Sequence, residues 1–114
     1  MQRNPVPIPA AQLTTSAAIY YTTPGGGTVA TINNLSFTNT GTVAATVTLH
    51  RVPSGGTPSA SNMIVSAFSI PGNKTYVPPQ AIGLHMSTGM TLQALADTAT
   101  TITIAGGVYE TSGS

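Results

Sequence analysis

The chain has 114 residues, no cysteine, 40% hydrophobic residues and 4% charged ones, where an ordinary soluble domain carries about 25% charge. That length suits one domain on a single core, and the lack of cysteine excludes a disulfide framework, a thiolate nucleophile and a cysteine-ligated zinc site. Charge is confined to Arg3, Arg51, Lys74, Asp97 and Glu110, a net +1, and three scattered basic side chains cannot neutralise a run of phosphates, so no nucleic-acid partner is expected.

Near-neutral surfaces tend to associate, which points to a chain that sits against copies of itself or a partner. The content of Val, Ile and Thr in short blocks argues for an ordered β domain rather than disorder. Apolar runs extend over only a few residues, far short of the roughly 20 needed for a membrane helix, so no membrane partner is expected.

In chain order, the first segment is MQRNPVPIPAAQLTTS, residues 1–16. Prolines at 5, 7 and 9 fix φ and remove every second backbone donor, so the segment should run extended and cannot be an interior strand. Pro5, Val6, Pro7, Ile8 and Pro9 are therefore candidate assembly residues, on an arm that crosses a neighbouring subunit and is dispensable for folding. The other reading is a frayed terminus. The same prolines stand where a signal peptide would place its apolar helix, so synthesis and use without secretion are expected.

Residues 17–111 read as the β domain, and 112–114 as a flexible C-terminus. AAIYYTT (17–23) is a strand ending at Pro24 and a Gly25, Gly26, Gly27 turn. In TVATINNLSFTNT (28–40) apolar positions fall at Val29 and Ile32, then Leu35 and Phe37. The change of parity predicts a bulge at Asn33 and Asn34. After a turn at Asn39, Thr40 and Gly41, VAATVTLHRV (43–52) alternates cleanly. Val43, Ala45, Val47 and Leu49 share one face, and Ala44, Thr46, Thr48 and His50 the other.

A polar loop, PSGGTPSASN (53–62), leads to the strand MIVSAFSI (63–70), a turn at 71–74 and the short strand TYV (75–77). IGLHM (82–86), MTLQALA (90–96) and TTITIAGGVYE (100–110) follow, separated by turns. No segment has sustained 3.6-residue spacing. About eight short strands with turns at intervals of about 8 to 12 residues predict an all-β, antiparallel β-sandwich of jelly-roll or Greek-key type, with an immunoglobulin-like sandwich as the next alternative. Expected core positions are Val29, Leu35, Phe37, Val47, Leu49, Ile64, Phe68, Ile70, Leu92, Ile102 and Ile104. The opposite faces carry threonine in place of Lys or Glu, which lets a neighbour cover them at small desolvation cost.

The titratable inventory beyond arginine and tyrosine is Asp97, Glu110, His50, His85 and Lys74, none at a spacing that pairs a base with a nucleophile, and no G-x-S-x-G elbow is present. PGGG (24–27) and PGNKT (71–75) lack the elements of a phosphate loop and read as turns. No catalytic residue, cofactor or metal site is expected. His50 and His85 read as strand histidines, a metal shared on a trimer axis being the other reading. His50 and Arg51 stand together where a strand runs out, and are candidate assembly residues through a charge-assisted bond from the guanidinium to a partner. The aromatic platforms open to a glycan are Tyr20, Tyr21, Tyr76 and Tyr109, with no Trp, and Tyr20, Tyr21 and Tyr76 are the candidates for an adhesion role.

The succession IYYTTPGGGTVATINNLSFTNTGTVAATVTLHRVPSGG, then NMIVSAFSIPGNKTYVPP, then TGMTLQALADTATTITIAGGVYE resembles a family of short structural proteins of tailed bacteriophages. The resemblance covers about residues 17–110 and lies in an N-T-G hairpin, a T-V-T-L-H strand ending in V-P-S-G-G, and a closing I-x-I-x-G-V strand. It implies a capsid decoration, or cement, protein bound to the outer surface of the head. The implied partners are the major capsid protein and further copies of the chain, as a homotrimer or other symmetric oligomer, and the implied place of synthesis is the host cytoplasm. The alternative role is a tail, neck or head-fibre adhesion module contacting host glycans. Where related chains favour an acidic turn before the penultimate strand, this one has Ser87, Thr88, Gly89 and Met90.

Overall fold

The computed structural model describes residues 3–99 and 101–111, with the side chains of Arg3 and Pro9 left out of the description. Residues 112–114, the expected flexible C-terminus, lie outside it. Nine strands are present among the described residues: β1 (Arg3–Gln12), β2 (Ala18–Thr22), β3 (Val29–Asn39), β4 (Ala45–Val52), β5 (Met63–Ile70), β6 (Thr75–Tyr76), β7 (His85–Met86), β8 (Thr91–Ala96) and β9 (Ile102–Thr111). A single 3-10 turn, Ala60–Asn62, precedes β5. No described helix is long and apolar enough to cross a membrane.

The strands form two antiparallel sheets, one ordered β1-β9-β3-β6 with β7 also paired to β3, the other β2-β8-β4-β5. Apolar side chains from both sheets pack into one core, including Ile32, Leu35, Phe37, Ile104 and Val108 from the first and Val47, Leu49, Ile70 and Leu92 from the second. The arrangement is sandwich-like, and period-two alternation places these residues inward.

The bulge lies where the parity change placed it. In the β3–β9 ladder Ile32 faces Val108 and Asn34 faces Gly107, so Asn33 is the extra residue. Ala30 and Ile32 are buried before it, and Leu35 and Phe37 after it. Gly106 faces Leu35 from β9, and a Cβ there would lie 2.2 Å from the Asn34 carbonyl oxygen. The bulge therefore demands a glycine on the opposite strand.

Asn39, at the end of β3, is fully buried, and its side chain holds three backbone groups. Its amide donates to the carbonyls of Val43 and Ile70, each at 2.9 Å, and its Oδ1 accepts the Gly41 N–H. The Asn-Thr-Gly turn is thereby tied to the end of β5.

Several expectations need correction. Val29 is 40% exposed, because Ala30 takes the inward place on its side of the bulge. Phe68 is 43% exposed and Ile64 only half-buried. A break in the β4–β5 register lies beside Ala67, which has φ 44°, and Phe68 comes out at the free edge stacked on Tyr76 with ring centroids 3.9 Å apart. Val43 precedes β4 and is largely exposed. IGLHM contributes only two strand residues, since 79–83 form turns.

The proline-rich segment supplies the ninth strand and is part of the domain itself. It runs extended along β9 as the edge of the first sheet, with Ile8 in the core and the following Leu13 completely buried. A segment so embedded is expected to contribute to folding. Pro5 faces Tyr109 and Pro7 faces Gly107. Proline has no N–H to give to the ladder, so these positions turn their carbonyls to the free edge while Val6 and Ile8 bond to β9. That edge offers acceptors without matching donors and cannot template another strand. The other free edges are blunted too: β5 by the irregularity at Ala67, β2 by a register shift at Tyr20, and β6 and β7 by their length of two residues each.

Candidate functional site

The candidate assembly residues fall in two separate places. β1 borders the first sheet on the β9 side, whereas His50 and Arg51 lie on β4 in the second sheet, so the two sets do not form one surface. Of the five β1 residues, Pro5 and Pro7 are exposed, Val6 is half-buried and Ile8 is 2% exposed. Pro5 and Pro7 offer side chains to a neighbour and Val6 does so in part; the Pro9 side chain lies outside the description.

His50 continues the outward face of β4 with Thr46 and Thr48, yet it is 4% exposed. The loop 53–62 folds over this end of the sheet, and its final residue, Asn62, supplies the cover. Asn62 Oδ1 accepts from His50 Nδ1 at 2.9 Å and from the Ser59 N–H at 3.0 Å, so Nδ1 carries the proton. The Asn62 amide donates to the Thr57 carbonyl. One asparagine thus closes the loop and satisfies the histidine, and His50 is unavailable as a surface contact.

Arg51 points the other way, with Leu49, and reaches across to the first sheet, where Nη1 donates to the His85 carbonyl at 2.9 Å. It lines a depression of about 230 Å³ with Asn62, Ile64, Leu84 and Met90. Its charge-assisted bond is made within the chain. His85 is exposed on β7, its Nδ1 3.0 Å from Thr31 Oγ1. The two histidines therefore have different partners on different sheets. Among the described residues, no three His, Asp or Glu side chains gather into a possible metal site.

The tyrosines singled out as platforms are partly occupied. Tyr21 is buried and donates its hydroxyl to Glu110 Oε2, linking β2 to β9 across the core. Burial, this hydrogen bond and the carboxylate charge together push its ionisation far above the usual tyrosine range. Tyr76 stacks on Phe68, and Tyr20 is half-buried, its ionisation also raised by burial.

The four charged residues whose side chains are described, then, sit off the outward sheet faces; the Arg3 side chain lies outside the description. Arg51 and Glu110 serve the contacts just given, Lys74 lies in the turn before β6, and Asp97 follows β8, accepting the Thr46 N–H at 2.9 Å. On the outward face of the first sheet the alternation leaves Val29, Thr31, Ser36, Thr38, Thr103, Ala105, Tyr109 and Thr111. One residue of consequence escaped the sequence reading: Asn62 stood at the end of a loop with no periodic signal.

Comparison of the chain with protein-family models, curated protein sequences and solved structures returns no match.

Proposed function

We propose that the chain is a decoration, or cement, protein of a tailed-bacteriophage head, bound to the outer capsid surface, where it adds contacts between major capsid protein subunits. The observation that carries this reading is the combination of blunted edges and sheet faces that carry no charge among the described side chains. A face of hydroxyls and small side chains is covered by a partner with little desolvation cost, and edges that refuse a further strand direct association to faces and end loops. Attachment of this kind is insensitive to salt, since few ion pairs contribute. No catalytic group is required, and the role is structural rather than enzymatic.

The same reading includes a jelly roll. Merging β6 and β7 as two halves of one strand gives eight positions, four to a sheet. The orders β1-β9-β3-β6/β7 and β2-β8-β4-β5 are those produced when a long hairpin ribbon rolls into two nested Greek keys. We further propose that copies associate symmetrically, as a homotrimer or another closed ring, because a lattice of repeated sites favours closed symmetric units. The test is attachment to purified heads lacking the protein: saturable binding that persists at high salt supports the reading, and no binding above background refutes it.

A further inference from the structure

Near the end of β4 stands an arginine whose charge has no counterpart beside it. By alternation Arg51 belongs to the inward face with Val47 and Leu49, and it comes out half-buried where the two sheets meet. Nη1 donates to the His85 carbonyl at 2.9 Å, and no other hydrogen bond holds the guanidinium among the described residues. The Nε–Nη2 edge, a side of the fork that matches a carboxylate, is therefore open. Both carboxylate side chains of the chain are committed elsewhere. Glu110 accepts the Tyr21 hydroxyl, and Asp97 accepts the Thr46 N–H at the other end of β4. Five strand steps of about 3.3 Å put Thr46 about 16 Å from Arg51 along β4. Arg51 shares its depression of about 230 Å³ with the apolar side chains of Pro53, Met63, Ile64, Leu84 and Met90. The remaining polar lining, Ser61 and Asn62, is already hydrogen-bonded within the 53–62 loop.

We propose that this depression binds a small monocarboxylic acid, its carboxylate on Arg51 and its single ring or short alkyl chain against the apolar walls. The chemistry selects that class. A half-buried guanidinium with no carboxylate of its own favours an anion, and the surrounding hydrocarbon favours one that carries an apolar group. The bond to the His85 carbonyl fixes the guanidinium in advance, while Met63 and Met90 are side chains that adapt to the shape of what they cover. A phosphate or nucleotide would call for more positive charge, and among the described side chains Arg51 is the one cation in the lining. The volume falls below the roughly 300 Å³ at which pockets for larger ligands begin, which suits one ring or chain rather than an extended segment. The site lies between the sheets, apart from their outward faces, and does not depend on capsid attachment.

The test is titration of the intact chain with benzoate, hexanoate, acetate, benzamide, inorganic phosphate and a peptide ending in phenylalanine, followed by backbone amide shifts in two-dimensional NMR. Benzoate or hexanoate should move the amides of Met63, Ile64, Leu84 and Met90 saturably and bind about tenfold tighter than acetate, because the apolar part adds buried surface. Arg51→Gln keeps a donor for the His85 carbonyl and removes the charge, and should weaken benzoate about tenfold or more. Met63→Ser, at a partly exposed position, should weaken benzoate and leave acetate unchanged. Lys74→Ala, a control cation outside the depression, should change neither. The amide spectra also report whether each variant folds. No saturable binding of either apolar acid overturns the proposal, as does benzoate that binds no tighter than acetate, benzamide or phosphate, or that survives Arg51→Gln. Binding of the peptide alone overturns it too, and puts a protein C-terminus in place of the small acid.

Discussion

Gly106→Ala probes the bulge that shapes the first sheet. The added Cβ would stand 2.2 Å from the Asn34 carbonyl oxygen, 2.9 Å from Leu35 Cα and 3.0 Å from the Asn34 carbonyl carbon. Close carbon-to-oxygen approaches between strands settle at about 3.3 Å, so the overlap is about 1 Å. All three neighbours are backbone, and no rotamer change relieves it. β3 and β9 must separate locally, which costs about 1 to 3 kcal/mol as overpacking and about 1 kcal/mol for each ladder bond weakened. A loss of about 2 to 4 kcal/mol is a large share of the 5 to 15 kcal/mol typical of a domain, and should lower Tm by roughly 10 °C or more. The assay is urea denaturation followed by circular dichroism, with Gly25→Ala as control, because nothing lies within 4 Å of a Cβ at that position. A Gly106→Ala chain as stable as the control would refute the packing argument and the bulge with it.

Three further outcomes follow. Tyr21 is held protonated in the fold while an unfolded tyrosine ionises near pH 10, so its contribution is complete below about pH 10 and is lost as pH rises beyond it. Denaturation between pH 8 and pH 11 should show that decline, and Tyr21→Phe should shrink it while costing about 1 to 3 kcal/mol at neutral pH through the lost bond to Glu110. Asn62→Ala leaves His50 Nδ1 buried without its acceptor and frees the loop, so a loss of about 1 to 3 kcal/mol and faster amide exchange at Ser59 are expected, with the strands unchanged. Removal of residues 1–16 strips Ile8 and Leu13 from the core, about 1.5 to 3 kcal/mol each, together with the β1–β9 ladder, and should give an unfolded or insoluble chain on expression.

The legibility of the sequence follows from its physics. Strands with strict alternation, such as β4 and β9, declared both their existence and their inward residues, and the parity change at Asn33 and Asn34 marked the bulge. Positions whose neighbours lie far along the chain were silent. Nothing local says that PVPIP pairs with residues a hundred places away, nor that Gly-Ser-rich residues 53–62 fold back to bury His50. Phe68 looked like a core residue because period two was counted through an irregularity that only Ala67's backbone discloses. For the site, residue type pointed to His50 and Arg51 as unusual, but their partners, Asn62 and the His85 carbonyl, are set by tertiary packing.

The proposal that the chain covers the outside of a phage head is tested most directly by its copy number on purified virions, by quantitative mass spectrometry, with its position located by electron microscopy. The account predicts a number that is a fixed, large fraction of the major capsid protein count, with density on the outer shell. A few copies per particle, or density confined to the tail or neck, would contradict it.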